Sequence, residues 1–161
     1  MVADFAPGTH SAPPTRIMLD LPARTRYLTI IRELVALAAV EHHYPPGEIA
    51  KTVMAVDEAC VNIIEHAYLP DDSRADPRIN IRVDASRTQL AVTIGDQAQC
   101  SFSPAAKPKD DIDGYWASGA GHGLGLVILH HFMDRISHSY EPGRGNELRL
   151  IKYAGRHQAA V

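Results

Sequence analysis

Ile17, Leu19 and Leu21 alternate with polar residues as a half-buried strand does, and after Pro22 the apolar residues Tyr27, Ile31, Leu34 and Ala38 recur at helical spacing. The break at Tyr44-Pro-Pro-Gly47 ends that helix, and a second one is predicted from about Glu48 to Tyr68. Beyond the polar, proline-containing stretch 70–77, Ile79, Ile81 and Val83 alternate again. After a turn near Ser86, so do Leu90, Val92 and Ile94, which predicts an antiparallel hairpin. Residues 97–121 carry Gly, Pro, Ser and Asp with little periodicity; a connection of that length predicts either a functional lid or disorder. A helical run then opens at Gly121-His-Gly-Leu-Gly-Leu126 and continues through Met133. It is followed by Ile136, His138 and Tyr140, a turn at Pro142-Gly-Arg-Gly145, and Leu148 and Leu150. Locally paired strands and clustered helices predict an α+β two-layer sandwich, its helices packed on one face of a mixed, mostly antiparallel sheet. Residues 1–14 and 154–161 lack apolar periodicity and are expected to be flexible tails.

The second helix carries the first sign of chemistry. Glu58, Asn62 and His66 are four apart, and each four-residue step advances only about 40° around a helix, so the three share one stripe. Val53, Val56, Cys60, Ile63, Ile64 and Ala67 form the complementary apolar set, which faces the core. A polar stripe bordering such a set fits the rim of a pocket as well as it fits a solvated helix face.

Composition narrows the classes. A chain of 161 residues with 45% hydrophobic and 22% charged residues is ordinary for one globular domain. A net charge of −3 without a long basic run argues against direct nucleic-acid binding. No apolar run is long enough to cross a membrane, and the first residues lack a basic segment leading into an apolar one, so a cytoplasmic protein is expected. Cys60 and Cys100 make neither a metal pair nor a disulfide framework. The histidine pairs His42-His43 and His130-His131 are adjacent, so on a helix they point apart, and no His-Glu-x-x-His spacing occurs. The acidic run Asp110 to Asp113 lacks the remaining spacing of a calcium loop, while Tyr115 and Trp116 beside it are candidate partner anchors or lid packing.

Gly121, Gly123 and Gly125 allow close backbone approach where a helix begins, leaving N–H groups free for phosphate oxygens. The pattern is neither a P-loop, since no Lys-Ser/Thr follows, nor a dinucleotide fingerprint.

Taken in order, the stripe helix, Asp96 at a strand end and the glycine-rich helix start resemble the N, G1 and G2 boxes of the GHKL ATPase superfamily, which implies a Bergerat-type ATP-binding fold. Residues 56–68, Val-Asp-Glu-Ala-Cys-Val-Asn-Ile-Ile-Glu-His-Ala-Tyr, and 121–134, Gly-His-Gly-Leu-Gly-Leu-Val-Ile-Leu-His-His-Phe-Met-Asp, are similar to the anti-sigma-factor serine/threonine kinases of bacterial partner-switching systems. Leu21-Pro-Ala23 and Gly145-Asn-Glu-Leu-Arg-Leu-Ile-Lys152 extend the resemblance over about residues 15–153, the expected ATPase domain. The resemblance implies that Asn62 holds the Mg²⁺ bridging the phosphates of ATP and that Glu58 takes the proton of the attacking hydroxyl. It implies that Asp96 accepts from the adenine amino group, with Asn146 a small polar residue beside it. Gly121, Gly123 and Gly125, with His122 and Leu124 between them, would line the phosphates beneath the lid.

The implied function is an ATP-dependent serine/threonine protein kinase that sequesters a sigma factor and phosphorylates a Ser or Thr of a small antagonist protein, with a homodimer by analogy. One departure opens an alternative. The family pattern Asp-x-Gly here reads Asp96-Gln-Ala98, and Phe102 and Pro104 are displaced by about one residue. An alanine resists positive φ and adds a methyl where the backbone passes the nucleotide, so a catalytically weak or inactive binding module of the same fold is the second reading. A third, the ATP-binding part of a sensor histidine kinase, lacks a phospho-acceptor helical pair before residue 15.

Overall fold

The computed structural model describes residues 13–66, 76–98 and 124–155. Strand β1 (Thr15–Pro22) leads through a 3-10 turn (Thr25–Tyr27) into helix α1 (Leu28–Glu41), and α2 (Pro46–His66) follows. Strands β2 (Arg78–Ala85) and β3 (Gln89–Asp96) form the expected hairpin, then come α3 (Leu124–Phe132), β4 (Arg135–Glu141) and β5 (Gly145–Tyr153). The strands form one sheet in the order β1-β2-β3-β5-β4, and every described pairing is antiparallel. The α+β sandwich read from the sequence is therefore the architecture observed, with no parallel pair among the described residues.

Register explains how one face becomes the core. Leu19 lies opposite Ile81, Ile81 opposite Ile94 and Ile94 opposite Leu148, so the alternating apolar residues of four strands line one face. Ile79, Ile81, Val83, Leu90, Val92, Ile94, Leu148 and Leu150 are all buried there. The helices cover that face. Ile31, Val35 and Ala38 of α1, Val56, Cys60 and Ile63 of α2 and Leu129 of α3 join the same apolar cluster. Val53 and Ile64 pack against it half-buried, and Ala67 lies outside the described residues. The opposite face of the sheet carries Arg16, Met18, Arg82, Asp84 and Arg149.

Two boundaries differ from the sequence expectation. Helix α1 begins at Leu28 rather than after Pro22, because Pro22 closes β1 opposite Arg78 and the Ala23 N–H bonds to the Pro77 carbonyl. Helix α2 begins at Pro46, two residues earlier than expected: proline at the first helical position loses no intrahelical bond, and the Glu48 and Ile49 N–H groups turn back to the Pro45 carbonyl. The segment expected to form a lid lies outside the described residues beyond Ala98.

Candidate functional site

The stripe on α2 lies beside the start of α3. A β-carbon placed on Gly125 would come within 2.8 Å of Glu58 Oε2 and 3.1 Å of Asn62 Nδ2. Glycine at this position leaves the space that the ends of the Glu58 and Asn62 side chains occupy, so the carboxylate and the carboxamide lie directly against the start of α3. Neighbouring α2 residues Ala55, Val56, Ala59 and Cys60 are buried, which anchors the helix and leaves Glu58 and Asn62 half-buried at its edge. Burial pushes the Glu58 carboxyl above its ordinary value, and the charges of Asp57 and Glu65 push it the same way. Burial also pushes the Cys60 thiol up, leaving it protonated and inert.

A second cluster forms at the end of β3. Asp96, at the last position of a strand whose alternate residues face the helices, is 3% exposed. Its Oδ1 accepts from the Ala98 backbone N–H at 2.8 Å and from Asn146 Nδ2 at 3.0 Å. Its Oδ2 is buried and has no hydrogen-bond partner among the described residues. Asn146 Oδ1 in turn lies 3.0 Å from His138 Nε2. The strands can meet this closely because residue 145 is glycine: at φ +97° a β-carbon there would fall 2.0 Å from the Asp96 carbonyl oxygen.

Such an arrangement suits a purine bearing an amino group. One carboxylate oxygen is anchored by two donors, and the other is a desolvated acceptor that an incoming N–H or O–H would satisfy. Asn62 carries groups suited to an anion or a cation. Its Nδ2 is buried without a partner among the described residues, and a half-turn of the carboxamide exchanges that donor for an oxygen, so the side chain can meet either a phosphate oxygen or a cation. Among the described residues no group of three or more His, Cys, Asp or Glu could hold a metal ion. A cation at Asn62 would therefore take most of its ligands from phosphate and water.

Ala98 sits without the strain that its place in the family pattern raised. Among the described residues the only non-glycine with positive φ is His43, so Ala98 is not in the left-handed region. Its methyl is buried in the core cluster and its N–H caps Asp96. Alanine here costs neither left-handed strain nor an exposed methyl.

The structure thus brings Glu58, Asn62 and Gly125 together, and Asp96 with Asn146. Leu124 is half-buried at the first position of α3. Gly121, His122 and Gly123 lie outside the described residues, as does the side chain of His66. Sequence reading missed His138. The signal was present, since His138 stands between Ile136 and Tyr140 at positions that alternate toward the helix-bearing face. It also missed the pair in which the buried Lys152 Nζ lies 2.7 Å from Oε2 of the half-buried Glu48.

Comparison with known proteins identifies the family. The family described as histidine kinase-like ATPase domain matches residues 21–152. The serine-protein kinase RsbW of Bacillus pumilus is 28% identical over 145 residues, covering 87% of this chain and 86% of that protein. RsbW of Bacillus subtilis is 30% identical over 125 residues, with 74% and 75% covered. A chain of the SiaB–SiaC complex from Pseudomonas aeruginosa superposes with a TM-score of 0.61 at 14% identity, covering 84% of this chain and 88% of that one, a likeness of fold. The chain belongs to the histidine kinase-like ATPase family and, within the GHKL superfamily, to the anti-sigma-factor serine kinases.

Proposed function

We propose that this protein binds magnesium-ATP between α2, α3 and the end of β3, transfers the γ-phosphate to a Ser or Thr of a small antagonist protein, and alternately sequesters a sigma factor. The observation that carries the reading is the packing of Glu58 and Asn62 together on Gly125, with a vacant buried acceptor at Asp96 Oδ2. Asp96 accepts the adenine amino proton, and Asn146 and the Ala98 N–H hold the carboxylate for it. The N–H groups opening α3 face the phosphates. Asn62 holds the Mg²⁺, which when bound neutralises the phosphate oxygens. Glu58 accepts the proton of the attacking hydroxyl, and its raised pKa makes its carboxylate a stronger base than an exposed one. Phosphotransfer needs positioning and charge stabilisation more than covalent chemistry, so one small domain suffices.

The protein partners rest on the relatives named above and on an exposed apolar row on α1, Ile30, Leu37 and Val40, which no described element covers. Phosphorylation would weaken antagonist binding by adding charge at the interface, freeing the kinase for the sigma factor. The reading as an inactive binding module drew on Ala98; its backbone outside the left-handed region and its hydrogen bond to Asp96 take away the strain on which that reading rested.

Isothermal titration with magnesium-ATP tests the site. Wild-type protein should release binding heat, Asn62→Ala should bind at least ten-fold more weakly, and an absence of heat at millimolar nucleotide would leave only the docking function.

A further inference from the structure

We infer that His138 is a positioning residue for base recognition, acting through Asn146 on Asp96. The inference rests on the reading of Asp96 as the acceptor for an amino-purine.

Three adjacent strands carry the relay: His138 on β4, Asn146 on β5 and Asp96 on β3. Asn146 lies opposite Tyr140, which places His138 on the diagonal from it, within reach across the β4–β5 pair. All the links are directional. An ionised carboxylate only accepts, so the carboxamide must turn its NH₂ to Asp96 Oδ1 at 3.0 Å. That turns Asn146 Oδ1 toward His138 Nε2 at 3.0 Å, and an amide oxygen only accepts, so Nε2 must carry the proton. The reversed amide would face one acceptor with another across the same 3.0 Å. Asn146 is 5% exposed, so removing the imidazole takes a donor from a buried oxygen and weakens the hold on the orientation of the carboxamide. A carboxamide held less firmly on that side can rotate away from Asp96. Oδ1 of Asp96 would then hold only the Ala98 N–H, and the carboxylate could turn its free oxygen out of line with the ligand. His138 therefore sets which oxygen of Asp96 is presented, and with it the preference for a base that donates there (adenine) over one that presents a carbonyl (guanine).

The test compares affinities for ATP and GTP, measured by displacement of a fluorescent nucleotide, in wild type, His138→Leu, His138→Gln and Asp96→Asn. The expected result is that His138→Leu lowers the ATP-over-GTP preference about five-fold, the value of one net hydrogen bond. His138→Gln, whose amide N–H can donate to Asn146, should restore it. An unchanged preference in His138→Leu, alongside a lost preference in Asp96→Asn, overturns the role of His138. An unchanged preference in Asp96→Asn overturns the reading of Asp96 itself. Should His138→Leu fail to fold, the unaltered protein still decides: a proton–nitrogen multiple-bond NMR spectrum should show His138 protonated at Nε2, and a ring protonated only at Nδ1 would refute the relay.

Discussion

Glu58 Oε2 stands 2.8 Å from where a β-carbon of residue 125 would be, so the carboxylate on α2 occupies space that α3 leaves open by having glycine there. The atom in the way is the tip of a flexible side chain, which can swing aside at little cost to the fold. A Gly→Ala exchange inside a helix also gains up to about 1 kcal/mol of propensity. Gly125→Ala should therefore keep its melting temperature yet lose about a hundred-fold in phosphotransfer, the scale of a displacement near 1 Å in a reacting group. Thermal melts and single-turnover transfer, run side by side, check the split.

The raised pKa of Glu58 has a consequence for stability that is separate from catalysis. Desolvation, with Asp57 and Glu65 adding to it, lifts the folded-state value above the ordinary 4.5, so between the two values the folded state binds more protons than the unfolded one. Stability tied to this group is fully present below the unfolded value and is lost as pH rises through the folded value. Glu58→Gln should be more stable than wild type at pH 7, and the difference should close as pH falls below about 4. Urea denaturation at several pH values measures it.

Lys152 makes the opposite case. Its ammonium is buried on the helix side of β5, 2.7 Å from Glu48 Oε2 and 3.0 Å from the Phe132 carbonyl, tying together the start of α2, the end of α3 and the sheet. Lys152→Met leaves Glu48 with Lys51 alone and should cost about 3 kcal/mol. Although desolvation raises the Glu48 carboxyl, hydrogen bonds from Lys152 and Lys51 outweigh it and hold it below 4.5. Its contribution is therefore present above that value and lost as pH falls through the lower, folded value. The deficit of Lys152→Met in denaturant unfolding should shrink below pH 4, and adding Glu48→Gln should recover part of it at pH 7.

Ala98 gives a prediction against the family pattern. Restoring glycine removes a buried methyl worth about 0.8 kcal/mol and adds backbone entropy of roughly 0.5–1 kcal/mol to the unfolded chain. Because Ala98 is not left-handed, no strain is relieved. Ala98→Gly should lose about 1.5 kcal/mol of stability in urea and gain no ATP affinity by calorimetry.

Local periodicity made much of this legible in advance. Alternation in Ile79–Val83 and Leu90–Ile94 was enough to predict the β2–β3 hairpin, and the observed register sets Ile81 against Ile94. The four-residue spacing of Glu58 and Asn62 placed both on one edge of α2, where they are found together. Relations set by topology were not legible from local pattern, and the nearness of Asp96 and Asn146 was implied only by the family resemblance. Asp96 and Asn146 are 50 residues apart and meet only because β5 inserts between β3 and β4, and the pairing of Lys152 with Glu48 needs α2 laid across that same sheet. The unstrained, buried setting of Ala98 is a matter of its own backbone conformation and packing, which residue type alone does not encode.

Single-turnover transfer of labelled γ-phosphate to each candidate antagonist protein of the same genome, by wild type and by Glu58→Gln, tests the proposed chemistry most directly. The expected result is that Glu58→Gln binds magnesium-ATP within about two-fold of wild type while transfer falls at least a hundred-fold, the usual worth of a general base. Transfer by Glu58→Gln at the wild-type rate would contradict it.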